Sequence, residues 1–177
     1  MVHRIFAAAI AMLFFLIAVG ASKPAAAQDA CGSPRVKYTV KQVAAQPPPP
    51  QPEPGKALVF VVEHQVSTPA ICVHCAIATR VAVDGQWVGA GSGDSWFAFS
   101  LAPGPHHLCA MFQARFSSTA QDKYFAPLAV ESGKTYYIET RVEALDNQYQ
   151  NIRLLPLNEE EGKDRVQTFP FSDSHRK

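Results

Sequence analysis

The sequence predicts an all-β protein, an antiparallel β-sandwich of about seven or eight strands with a short C-terminal helix. Three observations predict it. Short apolar or alternating runs follow one another along the chain, Gly, Pro and Asp residues punctuate them, and no stretch of the body keeps a helical apolar period over helical length.

Residues 1–27 precede the fold. Arg4 gives a basic start, Ile5 to Val19 is an unbroken apolar run, and the segment ends Ala25-Ala26-Ala27. The run has 15 residues, short of the ~20 that a helix needs to span a bilayer, and the small-residue ending suits signal peptidase. The segment reads as a signal peptide cleaved between Ala27 and Gln28, so the mature chain is expected to be periplasmic or secreted. No later stretch reads as a transmembrane segment. Cleavage removes Arg4 and Lys23 and leaves 14 basic against 15 acidic residues. A near-neutral chain without a clustered basic excess argues against a nucleic-acid partner.

Residues 28–45 read as an N-terminal strand segment, with Val36, Tyr38 and Val40 on one face. Residues 46–55 read as a Pro-rich connector. Six of the fourteen prolines lie between Pro47 and Gly55, and proline lacks the amide that a sheet interior requires, so the stretch is a stiff polyproline II spacer.

Residues 56–171 are assigned to the sandwich. Ala57 to Val62 is apolar at every position, as in a central strand covered on both faces. Thr79 to Val83 and Gln86 to Gly89 flank Asp84-Gly85, a pair that tolerates the positive φ of a tight hairpin turn. Ser95 to Leu101 alternates, with Phe97, Phe99 and Leu101 facing one way and Trp96, Ala98 and Ser100 the other. Pro103-Gly104 turns the chain and His106 to Phe112 runs back. Lys134 to Val142, with Tyr136, Ile138 and Val142 inward, and Asn151 to Leu157 are the remaining strands. Glu159 to Gln167 reads as a short surface helix whose first-turn acids suit the helix dipole. Residues 172–177 read as a disordered tail.

The four cysteines, Cys31, Cys72, Cys75 and Cys109, are read as disulfide-bonded, as an even count in an exported chain implies. Three connectivities are open. The preferred one joins Cys31 to Cys109 and pairs Cys72 with Cys75 locally. Two rival readings attach to Cys72-Val73-His74-Cys75. A metal site would use Cys72, His74 and Cys75 with His106 or His107, but a second ligand pair of metal-binding spacing is missing. A thiol–disulfide oxidoreductase would place Cys72 at a helix N-terminus, whereas Cys75 runs into a β-branched stretch.

Four blocks of the body, in order and at strand-length spacing, resemble known families. They are Gly55-Lys56-Ala57-Leu58-Val59; Asp84-Gly85-x-Trp87-Val88-Gly89; Pro103-Gly104-x-His106-His107-Leu108-Cys109; and Gly133-Lys134-x-Tyr136-Tyr137. The Val83-Asp84-Gly85 turn followed by Pro103-Gly104-x-His106 is similar to the small β-sandwich repeats called PEGA domains. Lys56 to about Gly162 resembles the bacterial family called domain of unknown function 2846. The resemblance implies a β-sandwich exported by bacteria, with no agreed activity.

Residue patterns for catalysis are sparse. Gly93-Asp94-Ser95 lacks a nucleophile elbow, His106 and His107 point to opposite faces of a strand, and Glu63 and His64 read as a strand end meeting water. The aromatics offer more. Trp96, projecting away from Phe97 and Phe99, and Trp87, across the preceding turn, are candidates for binding a protein or glycan. The expectation is therefore a non-catalytic binding or structural module of the bacterial envelope, needing no cofactor and bearing no metal.

Overall fold

In the computed structural model, which describes residues 31–33, 35–44, 47–66, 78–113, 123–144 and 150–177, side-chain alternation sorts the chain into two sheets with three apolar cores. The strands are β1 (Tyr38–Val43), β2 (Ala57–Val66), β3 (Ala78–Val83), β4 (Gln86–Ser92), β5 (Ser95–Leu101), β6 (Gly104–Gln113), β7 (Lys123–Val130), β8 (Thr135–Ala144), β9 (Gln150–Leu157) and β10 (Phe171–Arg176); α1 (Glu159–Thr168) precedes the last. One sheet runs β1-β10-β5-β2-β8-β9 and the other β4-β3-β6-β7. The all-β sandwich is as expected. The expected signal peptide falls outside the described residues. Among those described, no helix is long and apolar enough to cross a membrane.

The structure corrects three details. Among the described residues there are ten strands, and two pairings are parallel, β2 with β8 and β10 with β5. Between β2 and β8 the chain builds β3, β4, β6 and β7 in the other sheet and β5 beside β2 in the same one. Residues 172–177 are no disordered tail. Their backbone fills the slot between β1 and β5, Ser172 Oγ donates to the Ala90 carbonyl at 3.0 Å, and the Ala90 amide donates to Ser174 Oγ at 3.2 Å.

The central core lies between the sheets. It takes Val59 and Val61 of β2, Val81 and Val83 of β3, Phe97 of β5, Leu108, Ala110 and Phe112 of β6, Ile138 and Val142 of β8, and Ile152 and Leu154 of β9. The opposite face of the six-stranded sheet carries Leu58, Phe60, Val62, Trp96 and Tyr137, and α1 covers it through Val166. Asn158 caps α1, its Oδ1 accepting from the Glu161 amide at 2.9 Å, and Gly162 lets the helix approach the Tyr137 ring. The opposite face of the four-stranded sheet is covered by residues 31–33 and 35–40, where Cys31 and Tyr38 pack on Ala82, Trp87, Ala90, Cys109 and Met111. The molecule thus has four layers: N-terminal strap, small sheet, large sheet, helix.

Candidate functional site

Trp87 and Trp96 do not form the surface expected of them. Trp96 is 0% exposed, between Phe60 (5.6 Å between ring centroids) and Phe171 (5.0 Å). It does project away from Phe97, but that face of the large sheet is itself a core, because Phe169, Phe171 and Val166 follow the sandwich in sequence and fold over it. Trp87 is 4% exposed beneath the strap, and its Nε1 donates to the Ser33 carbonyl at 2.8 Å.

Cys31 and Cys109 are bonded, their Cα atoms 5.3 Å apart across 78 residues of sequence. The bond fixes the strap to β6. Cys72, His74 and Cys75 lie outside the described residues, as does their expected local bridge or metal role. Among the described residues no group of three His, Cys, Asp or Glu side chains is placed to hold a metal ion.

His107 and His106 both lie on β6 and are both half-buried. His106 belongs to the turn. Its Nδ1 lies 2.6 Å from Asp84 Oδ2 and its Nε2 2.9 Å from the Ala102 carbonyl, while Asp84 Oδ1 accepts from the His107 amide at 2.9 Å. Asp84 and Gly85 take φ of 48° and 77°, the left-handed pair of the expected hairpin turn. Burial pushes the Asp84 carboxyl up, but the His106 side chain and the His107 amide outweigh it and hold it below the usual carboxylate range. The Asp84–His106 pair ties the β3–β4 hairpin to the start of β6. Both ring nitrogens of His106 are engaged, Nδ1 by Asp84 and Nε2 by the Ala102 carbonyl.

Glu63 and His64 do not end the sheet in water together. His64 faces the helix, stacked on Phe169 at 5.9 Å, with Asp94 Oδ1 3.2 Å and the Arg165 guanidinium 3.3 Å from its Nδ1. Glu63 faces the other way, into the space between the sheets, and is 2% exposed. It sits level with Thr140 of β8 and Ser95 of β5, across from Thr79 and Gly91 of the small sheet. A Cβ on Gly91 would lie 2.5 Å from Glu63 Oε2, so that position must be glycine for the carboxyl to fit. Neither carboxyl oxygen nor the hydroxyls of Thr79 and Thr140 complete a hydrogen bond. Burial drives the Glu63 carboxyl well above the usual range; the nearby Thr79 hydroxyl and the Gly93 and Thr79 backbone oppose this, and the Asp94 charge adds to it. Sequence patterning missed this group because an apolar run followed by Glu-His normally marks a strand leaving its core.

Arg80, also unforeseen, lies inside β3 and is 4% exposed. Its guanidinium sits 4.5 Å over the Trp87 ring and donates to the Val36 carbonyl. Arg176 of β10 donates through Nε to the Tyr38 hydroxyl at 3.1 Å and also reaches the Trp87 carbonyl. No family model matches the chain, and no curated protein matches it.

Large apolar side chains do reach the surface elsewhere. Tyr124 and Phe125 on β7, the edge strand of the small sheet, are 37% and 40% exposed, and Val66 at the end of β2 is 44% exposed.

Proposed function

We propose that the protein is a non-catalytic binding module of the bacterial cell envelope, exported by its N-terminal segment and working in an oxidising compartment. The observation that carries the reading is how the chemistry-bearing groups are used. Asp84 and His106 anchor a turn, Glu63 is sealed between two sheets, and Glu139 is held by the Arg141 guanidinium at 2.8 and 3.2 Å. Each serves packing. The Cys31–Cys109 bond supports an oxidising compartment. The basic start, the apolar run from Ile5 to Val19 and the Ala25-Ala26-Ala27 ending support export.

With Trp87 and Trp96 buried, the partner surface is assigned to Tyr124 and Phe125. Aromatic side chains at a sheet edge suit a protein partner, whose chain can add along the edge, or a glycan, whose rings stack on aromatic faces. The test places a photoreactive residue at position 124, and at Glu160 on the helix as control, in the exported protein within living cells. The reading predicts a defined adduct at position 124 only, or co-sedimentation with cell-wall glycan that Tyr124→Ala with Phe125→Ala abolishes. Absence of both overturns it.

A further inference from the structure

Near the end of β2, on the face that α1 covers, one nitrogen of the His64 ring meets two groups that make opposite demands of it. The Arg165 guanidinium, 3.3 Å from Nδ1, can only donate a hydrogen bond, so it needs the bare lone pair of that nitrogen. The Asp94 carboxylate, its Oδ1 3.2 Å from the same nitrogen, can only accept, so it needs a proton there. Both demands cannot be met at once. Whether Nδ1 carries a proton decides between them.

The two groups belong to different parts of the fold. Arg165 sits in the last turn of α1, where its carbonyl accepts from the Phe169 amide at 2.8 Å. The Phe169 ring lies against both side chains, stacked on His64 with centroids 5.9 Å apart and 5.3 Å from the Arg165 guanidinium. Asp94 lies in the turn between β4 and β5, and its Oδ1 also accepts from the Gln65 amide at 3.0 Å. Arg141 of β8 is level with His64 and is bound to the buried Glu139, and Arg153 of β9 is level with Arg141. The other charged residues of α1 are exposed, and Glu63 faces the space between the sheets. A positive charge on His64 therefore meets the guanidinium groups of Arg165 and Arg141 on two sides and the Asp94 carboxylate on a third.

We propose that His64 is a proton-operated switch for the end of α1, trading Arg165 for Asp94 as its Nδ1 partner when the ring becomes charged. Neutral, the ring carries its hydrogen on Nε2, and Nδ1 accepts from Arg165, which holds the last helical turn and Phe169 on the sheet. In mild acid Nδ1 takes a proton from solvent, donates to Asp94 and repels the Arg165 guanidinium. The last turn of α1 then loosens over the core of Phe60, Trp96 and Tyr137. The device stands apart from the outside partner proposed above, since it concerns a different face.

Long-range 1H–15N spectra of the labelled mature protein read the two ring nitrogens of His64 directly. At about pH 8 the neutral ring is expected as its Nε2–H tautomer, and an Nδ1–H ring overturns the proposal. Hydrogen exchange of the Phe169 amide, corrected for its intrinsic pH dependence, reads the helix end. Its protection is expected to fall about five-fold, the scale of one hydrogen bond, as His64 takes up its proton. In His64→Gln the protection is expected to hold constant over the same pH range. Constant protection in the wild type, or an equal fall in His64→Gln, overturns the proposal. Asp94→Asn keeps the shape of an exposed side chain and removes the charge that favours the imidazolium. It is expected to move the fall to lower pH, and a fall at unchanged pH overturns the exchange of partners.

Discussion

Glu63→Gln keeps the shape of the Glu63 side chain and removes its titration. The folded protein holds this carboxyl well above the usual range, chiefly through burial between the sheets, while the unfolded chain titrates it near ~4.3. Below that pH both states are protonated and the group contributes no pH dependence. Above it the unfolded chain releases a proton that the folded state keeps, so folding stability falls as pH rises, by about 1.4 kcal/mol per pH unit. The fall stops once the folded carboxyl also ionises. Urea unfolding of the mature wild type and Glu63→Gln at half-unit steps from about pH 3 to 9 measures this directly. The stability of Glu63→Gln minus that of wild type is expected to be flat below pH ~4.3, then to climb with a slope approaching 1.4 kcal/mol per unit, other titrations cancelling in the difference. A difference that stays flat to pH 9, or turns downward, refutes the buried Glu63 carboxyl.

The remaining predictions concern the turn, the latch and the helix. Asp84 has a depressed carboxyl, so its contribution is present above its unfolded range and is lost as pH falls through its folded value; Asp84→Asn is expected to flatten the acid limb of stability measured by thermal unfolding from pH 2 to 6. Replacing Cys31 by Ser opens a loop of 78 residues and is expected to cost about 4–5 kcal/mol in urea unfolding on the chain-entropy account; a change under 1 kcal/mol would contradict it. Gly162→Ala should destabilise by about 1–3 kcal/mol although alanine favours helices, because its Cβ meets the Tyr137 ring; a stabilised variant would show that α1 does not seat there.

Much of the sandwich was legible in the sequence because period-2 patterning survives wherever one face of a strand is buried. Phe97, Phe99 and Leu101 face the central core as their alternation predicts, and Asp84-Gly85 makes its turn. β7 and β10 were not legible. Pro127 interrupts β7 at an edge where no partner needs its amide, and β10 is mostly polar, since its serines bond to the backbone of β4 instead of filling a core. The two tryptophans were misjudged for a related reason. Alternation tells which face a side chain takes, yet not that a distant upstream strap and a distant downstream helix cover both outer faces. Glu63 was hidden by position: its burial depends on Gly91 in the opposite sheet, and no local pattern records that contact.

The proposed function requires a chain that is exported, trimmed of its leader and oxidised. The most direct measurement is the intact mass, without reductant, of protein recovered from the periplasm of an expressing bacterium, with a peptide map of its cysteines. The account predicts a chain beginning at Gln28, lighter than its reduced form by the four hydrogens of two disulfides, with Cys31 linked to Cys109. A chain that retains residues 1–27, or one that carries free Cys31 and Cys109 thiols or a bound zinc, would contradict it.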